Sequence, residues 1–216
     1  ILLFEDGSRD TEKARFHFLR QQWQRRGQNE YRSLADYVAP TGSGRDDYLG
    51  GFVVTAGIGG DTLTDAYKSQ QDDYNAIMVQ AVADRLAEAL AEWLHCKVRA
   101  EWGFADVDPD NLQAIIAENY RGIRPAAGYP ACPDHTEKEI LFEMLDAENQ
   151  TGVRLTETFA MSPGASVSGL YFAHPESRYF TVDRVTRDQI EDYARRKGWP
   201  TDRVERWLSP NLSYDP

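Results

Sequence analysis

The sequence predicts an α+β fold with an antiparallel sheet, and three observations predict it. Strand-like runs fall in clusters instead of alternating singly with helices, which disfavours a doubly wound sheet. Leu63 to Arg99 carries apolar residues at spacings of three and four over many turns, the pattern of a long amphipathic helix. Across 216 residues, 41% hydrophobic and 27% charged, the composition is globular and sufficient for a real core.

Ile1 to Phe4 is a short apolar run closed by the turn pair Asp6-Gly7, and reads as a strand. A second strand begins around Thr11 and continues through Ala14 to Arg20 with mostly alternating polarity, so it pairs with the first. Gln21 to Glu30 is a polar connection, and Tyr31 to Ala39 a half-apolar segment closed by Pro40-Thr41-Gly42-Ser43-Gly44. Gly51 to Ala56 is β-branched and aromatic, hence a central strand. In the long helix, Tyr74, Ile77, Met78, Ala81, Leu86, Leu90, Trp93 and Val98 mark the stripe. A shorter helix, Asn111 to Tyr120, starts behind Asp110 as N-cap.

The Gly/Pro-rich loop Gly122 to Pro133 follows. Thr136 and Glu139 have capping-box spacing and open a helix that ends near Gly152. Strands at Val153 to Ala160, Ser166 to Ala173 and Arg178 to Val182 come next. Helices at Arg187 to Lys197 and Thr201 to Leu208 close the chain.

The net charge of −11 excludes a phosphate-tracking surface, so no nucleic-acid partner is expected. No run approaches the ~20 apolar residues that span a bilayer, so no membrane partner is expected either. Cys96 and Cys132 are too few for a disulfide framework, which points to a reducing, cytoplasmic setting. The chain begins abruptly at Ile1 without Met or a signal peptide, as a piece of a longer polypeptide would.

Generic motifs fail on inspection. Gly57-Ile58-Gly59-Gly60 has Thr62 where a dinucleotide fingerprint needs its third glycine. Gly164-Ala165-Ser166-Val167-Ser168 resembles a nucleophile elbow but closes on Ser168 instead of Gly. Cys132 and His135 make half of a zinc spacing, and the four histidines are scattered, so no metal site is expected.

Three features carry chemistry. Pro125 and Pro130 stiffen the main chain around Arg124 and Tyr129, and Gly128 supplies the bend between them. An arginine so presented can grip a carboxylate bidentately, although an ordinary surface loop remains the plain alternative. Asp84 and Glu88 lie one turn apart on the long helix; with Arg85 and Glu92 nearby, they could equally form a solvated acidic stripe. Tyr179 and Phe180 sit in a strand-like run, so alternation sends one ring to a cleft and the other to the core.

The segment Arg124-Pro125-Ala126-Ala127-Gly128-Tyr129-Pro130-Ala131-Cys132-Pro133-Asp134-His135-Thr136-Glu137-Lys138 closely resembles the R-x-x-x-G-Y signature of the activation domain of cobalamin-dependent methionine synthase. The resemblance continues in Leu34 to Pro40, Asp72 to Met78, Ala83 to Ala89, Pro163 to Gly169, Asp192 to Gly198 and Val204 to Leu208, in order along nearly the whole chain. It implies a C-shaped single α+β domain around a twisted antiparallel sheet flanked by helices, binding S-adenosylmethionine in a shallow groove. It further implies service to a multidomain methyltransferase, of which the chain would be an N-terminally truncated fragment. The domain supports the reductive remethylation of oxidised cob(II)alamin to methylcobalamin, with an electron from flavodoxin or a flavoprotein reductase. This sustains methionine synthesis from homocysteine and methyltetrahydrofolate. Cobalamin, zinc, homocysteine and folate would be held by other domains, and the cobalamin-binding domain of the same polypeptide would be a partner.

By the same resemblance, Arg124 holds the ligand's carboxylate, Glu88 lies near its amino group, and Gly128, Tyr179 and Phe180 belong to the binding site. Tyr129 is the catalytic-site candidate and approaches the corrin. The family often has Tyr where this chain has Phe180, and it uses an Asp upstream of Ile1. Two rival readings are a free-standing S-adenosylmethionine-binding corrinoid reactivation protein and a non-enzymatic interaction module.

Overall fold

The structure, a computed structural model, describes residues 1–23, 27, 29–104 and 106–216. The chain is α+β, and its strands pair in twos. Among the described residues, the expected twisted sheet is three separate two-stranded antiparallel ladders.

The first ladder joins β1 (Leu2–Phe4) to β2 (Glu12–Arg15), with Leu3 opposite Ala14. The second strand stops far short of Arg20 because the N–H of His17 goes to the Glu137 carboxylate at 2.7 Å instead of to a neighbouring strand. Past that point Phe16, Phe18 and Leu19 are buried. The segment around Tyr31 to Ala39 contains a single 3-10 turn, Leu34–Tyr37, closed at its start by a capping box between Ser33 and Asp36.

The second ladder organises the molecule. Here β3 (Gly50–Thr55) runs against β6 (Ser166–Tyr171), from Gly50 opposite Tyr171 to Thr55 opposite Ser166. One face packs on the long helix through Phe52, Val54, Ala91 and Tyr171.

The single helix expected over Leu63 to Arg99 is two helices, α1 (Gly60–Ser69) and α2 (Asp73–Glu101). The chain breaks at Gln71, whose φ of 58° is left-handed, and Asp72 then caps the new helix by accepting from Asn75 N. The buried face of α2 also differs from the apolar stripe. Ala87, Ala91, His95 and Arg99 are buried, whereas Tyr74, Ile77, Leu86 and Trp93 are exposed. Small alanines at a four-residue spacing let the helix backbone approach the ladder closely.

The remaining differences are local. Asn111, not Asp110, caps α3 (Leu112–Ile116), which is shorter than Asn111 to Tyr120 because Glu118 turns left-handed at φ 52°. Instead of one helix from Thr136 to Gly152 there are α4 (Glu137–Met144) and α5 (Ala147–Thr151), separated at Asp146. The Thr136 capping box does not form; its hydroxyl donates to Asp134 Oδ1 at 2.7 Å. Val153 to Ala160 is not one strand: β4 (Arg154–Leu155) and β5 (Met161–Ser162) form the third ladder. Arg178 to Val182 joins no ladder, and Val182 N donates instead to Pro130 O at 2.8 Å. Helices α6 (Arg187–Lys197) and α7 (Thr201–Trp207) fall where the sequence puts them. No helix among the described residues is long and apolar enough to cross a membrane.

Two cores result. One gathers Phe16, Phe18, Leu34, Ile123, Leu141 and Phe172; the other gathers Val182, Val185, Ile190, Tyr193, Val204 and Leu208. The Gly/Pro-rich loop runs between them.

Candidate functional site

The loop lies along the open edge of β6. Ile123 and Phe172 exchange backbone bonds at 3.0 Å, and Leu170 N donates to Pro125 O at 3.0 Å. Gly169 permits this approach, since a Cβ there would stand 2.8 Å from Pro125 O. Beyond Pro125 the chain leaves the strand and turns back on itself, with Gly128 N donating to Cys132 O at 2.7 Å and Cys132 N to Tyr129 O at 2.9 Å. Gly128 takes φ +92°, and a Cβ at that position would fall 2.3 Å from the His135 ring. Both the backbone and the neighbour therefore require glycine.

The loop and β6 wall a cleft of about 700 Å³. Arg124, Glu88, Tyr129, Tyr179 and Phe180 all line it. The structure thus brings together in one cavity the candidates drawn from the loop, the long helix and the 178–182 run. Gly128 is not among its lining residues and acts through the turn. Nor is Asp84, which is exposed elsewhere on α2. Tyr129 is 62% exposed. Tyr179 and Phe180 do not divide between cleft and core as alternation suggests, because the 178–182 run is not a strand: both line the cleft, Phe180 also packs against two hydrophobic clusters, and the Tyr179 hydroxyl accepts from Arg124 N at 3.1 Å.

Arg124 is held from several sides. Its Nη1 donates to the Tyr120 hydroxyl at 2.8 Å and lies 3.4 Å from His95 Nδ1, while Nη2 is 2.6 Å from Glu92 Oε2. Burial alone would lower the guanidinium pKa, but Tyr120, Glu92 and Tyr179 around it leave it raised, so the charge is permanent. Burial, together with the cations Arg99 and Arg124, pushes His95 down to about 3; the ring is neutral and can accept. Burial pushes Tyr120 up to about 12, keeping its hydroxyl protonated at neutral pH. Glu92, His95 and Tyr120 were not singled out in the sequence as site residues. Glu88, Glu92 and His95 do share one helix face, and that spacing was the available signal.

The far end of the loop is anchored in a buried ionic knot. Lys197 Nζ donates to Asp134 Oδ2 at 2.8 Å, Thr136 Oγ1 at 2.6 Å and Glu137 Oε1 at 2.6 Å. Tyr193 adds a bond to Asp134 Oδ2 at 2.8 Å. Burial would raise the Asp134 pKa, but the Lys197 ammonium and the Thr136 donors hold it below the usual carboxylate range. Cys132 is buried and its thiol pushed up, which makes it a packing residue and a poor nucleophile. His135, the other half of the partial zinc spacing, has its Nδ1 2.9 Å from Lys138 Nζ. Among the described residues no three metal-capable side chains come together.

This arrangement can seat a ligand that carries both a carboxylate and cationic groups: a fixed guanidinium, one helix carboxylate and aromatic rings line the cleft. Similar proteins narrow the reading. Residues 1–198 match the family described as "Vitamin B12 dependent methionine synthase, activation domain". A crystal structure of the MetH reactivation domain bound to AdoHcy superposes with a TM-score of 0.94 at 55% sequence identity. That similarity covers 99% of this chain and 66% of the crystallised one, so the chain spans just under two thirds of the solved relative. On the extent of the family match, the chain belongs to the activation-domain family of vitamin B12 dependent methionine synthase.

Proposed function

We propose that the cleft binds S-adenosylmethionine, and that the chain serves a larger, multidomain cobalamin-dependent methionine synthase in returning oxidised cob(II)alamin to methylcobalamin. The observation that carries this reading is Arg124, a permanently charged guanidinium fixed by its neighbours on the wall of a cleft of about 700 Å³. Its guanidinium would take the methionine carboxylate, and Glu88, exposed on the same wall, the α-ammonium. Tyr179 and Phe180 offer ring faces to the rest of the ligand, and Gly128 sets the turn that shapes the loop. Phe180 has no hydroxyl, so its contribution is apolar contact alone. A similar solved domain binds AdoHcy, the product such a methyl transfer would leave.

In this scheme the cobalamin-binding domain of the same polypeptide presents cobalt to the bound sulfonium. The cobalamin, held by that other domain, would supply the methyl-accepting cobalt, and flavodoxin or a related flavoprotein reductase would supply the one electron that cob(II)alamin needs to take the methyl group from sulfur. What this chain supplies is position, because holding the methyl-bearing carbon in line needs no acid or base from the protein. Tyr129, 62% exposed beside Ala126 and Ala127, has the apolar body and polar tip suited to meeting a corrin face. The zinc, homocysteine and folate chemistry of methionine synthesis belongs to other domains in this scheme.

Calorimetric titration of the chain with S-adenosylmethionine is the test. Arg124→Ala should weaken binding about ten- to a hundredfold, the loss of a charge-assisted contact, while the melting temperature changes little. An Arg124→Ala protein that binds like the parent would remove the proposed site.

A further inference from the structure

The carboxylate paired with Arg124 is not Glu88, which the resemblance places near the ligand's amino group. Glu88 lines the cleft and is exposed, but the ion pair is made one turn further along α2 by Glu92, whose Oε2 is 2.6 Å from Arg124 Nη2. The two sides of the guanidinium are unequal. Tyr120 and His95 engage Nη1, on the side away from Nε–H. The remaining edge, Nε with Nη2, is the side-on fork by which a carboxylate binds an arginine bidentately. Glu92 stands at the Nη2 end of that fork. Its second oxygen, Oε1, is buried and has no hydrogen-bond partner among the described residues. Glu92 is not among the residues that line the cleft, so it meets a ligand only through the guanidinium it holds.

We infer that Glu92 is a positioning and specificity-determining residue that reads the α-amino-acid head of the ligand. It fixes the Arg124 guanidinium, and so sets where the ligand's carboxylate is gripped, acting on the ligand through Arg124. An arginine held at both Nη1 and Nη2 keeps one direction for its grip on the amino-acid head, which a lone arginine on a flexible stem does not. A cleft built this way discriminates against ligands with the nucleoside but without the amino-acid head. The inference rests on the proposal that the cleft takes S-adenosylmethionine.

Two ligands test it: S-adenosylmethionine, and methylthioadenosine, which keeps the nucleoside and sulfur but lacks the amino-acid head. Glu92→Gln should weaken S-adenosylmethionine binding about tenfold and leave methylthioadenosine unchanged, so that the preference between the two collapses. Glu92→Asp should restore much of that preference, because the charge is kept. Equal loss of both ligands in Glu92→Gln would mark Glu92 as a fold residue only, and no loss of either would mark the ion pair as idle; both overturn the inference while the functional proposal stands. A parent chain that binds neither ligand overturns the functional proposal and this inference with it.

Discussion

Two ionic knots hold the loop, one at each end, and they are built from the same chemistry to different purposes. At the far end, Lys197, Asp134 and Glu137 have side chains only 5%, 4% and 2% exposed. Each charge there has protein donors or acceptors around it, and Thr136 and Tyr193 close the remaining positions. At the near end, Arg124 and Glu92 are 16% and 24% exposed, and one Glu92 oxygen is left unpaired. A buried ion pair is stable only when its remaining hydrogen-bonding positions are filled. The far knot is closed among protein groups away from the cleft; the near knot keeps Arg124 on the lining of the cleft and is suited to a ligand.

The comparison breaks most visibly at Lys197. Lys197→Met strands two buried carboxylates, so unfolding in urea should show a loss of about 3–5 kcal/mol. A loss below 1 kcal/mol would mean that the far knot is as open as the near one. A smaller effect lies in the acid response of the near knot. His95 has its pKa lowered from 6.5 to about 3 in the folded protein, so between those values the unfolded chain binds a proton that the folded one refuses. Stability therefore falls as pH falls through that window, by up to about 1.4 kcal/mol per unit from this group. Urea titrations from pH 7 to pH 4 should show a shallower acid slope in His95→Gln than in the parent; identical slopes would place the histidine's proton elsewhere. The smallest expected effect sharpens the contrast. Tyr120→Phe removes one charge-assisted bond from Arg124 and, acting on the ligand only through that residue, should cost severalfold in S-adenosylmethionine affinity with little change in melting temperature. A melting temperature that drops while affinity holds would assign Tyr120 to the fold.

Much of this was legible from the residues. The loop announces itself because Pro125, Gly128 and Pro130 each restrict or release the backbone in a way neighbouring side chains cannot undo. Helices α6 and α7 end at Gly198 and start behind Pro200 for equally local reasons. The break at Gln71 was not legible, because an apolar rhythm runs on through it and only the Asp72 cap marks it. The buried face of α2 was hidden for a different reason. Periodicity counts apolar residues, and the ladder selected Ala87, Ala91 and His95 for their small or flat shape. Likewise Phe16 to Leu19 alternates like a strand, yet the His17 N–H goes to a carboxylate on α4 that no local pattern announces. Of the residues that line the cleft, Arg124, Glu88, Tyr129, Tyr179 and Phe180 could be named because they sit in quotable segments. Glu92 was passed over because its charge looked like part of a solvated stripe, and its partner lies far along the chain.

The anchoring of the loop also has a consequence for the order in which the molecule is made. Residues 124–133 shape the cleft, yet they are pinned by Val182 through Pro130, and the segment that continues them is pinned by Tyr193 and Lys197 through Asp134. During synthesis the loop therefore emerges well before the residues that fix it. Until Lys197 has left the ribosome, Asp134 and Glu137 lack the ammonium that bridges them. The binding cleft is consequently among the last parts of the chain to be set, although its defining residues lie near the middle of the sequence.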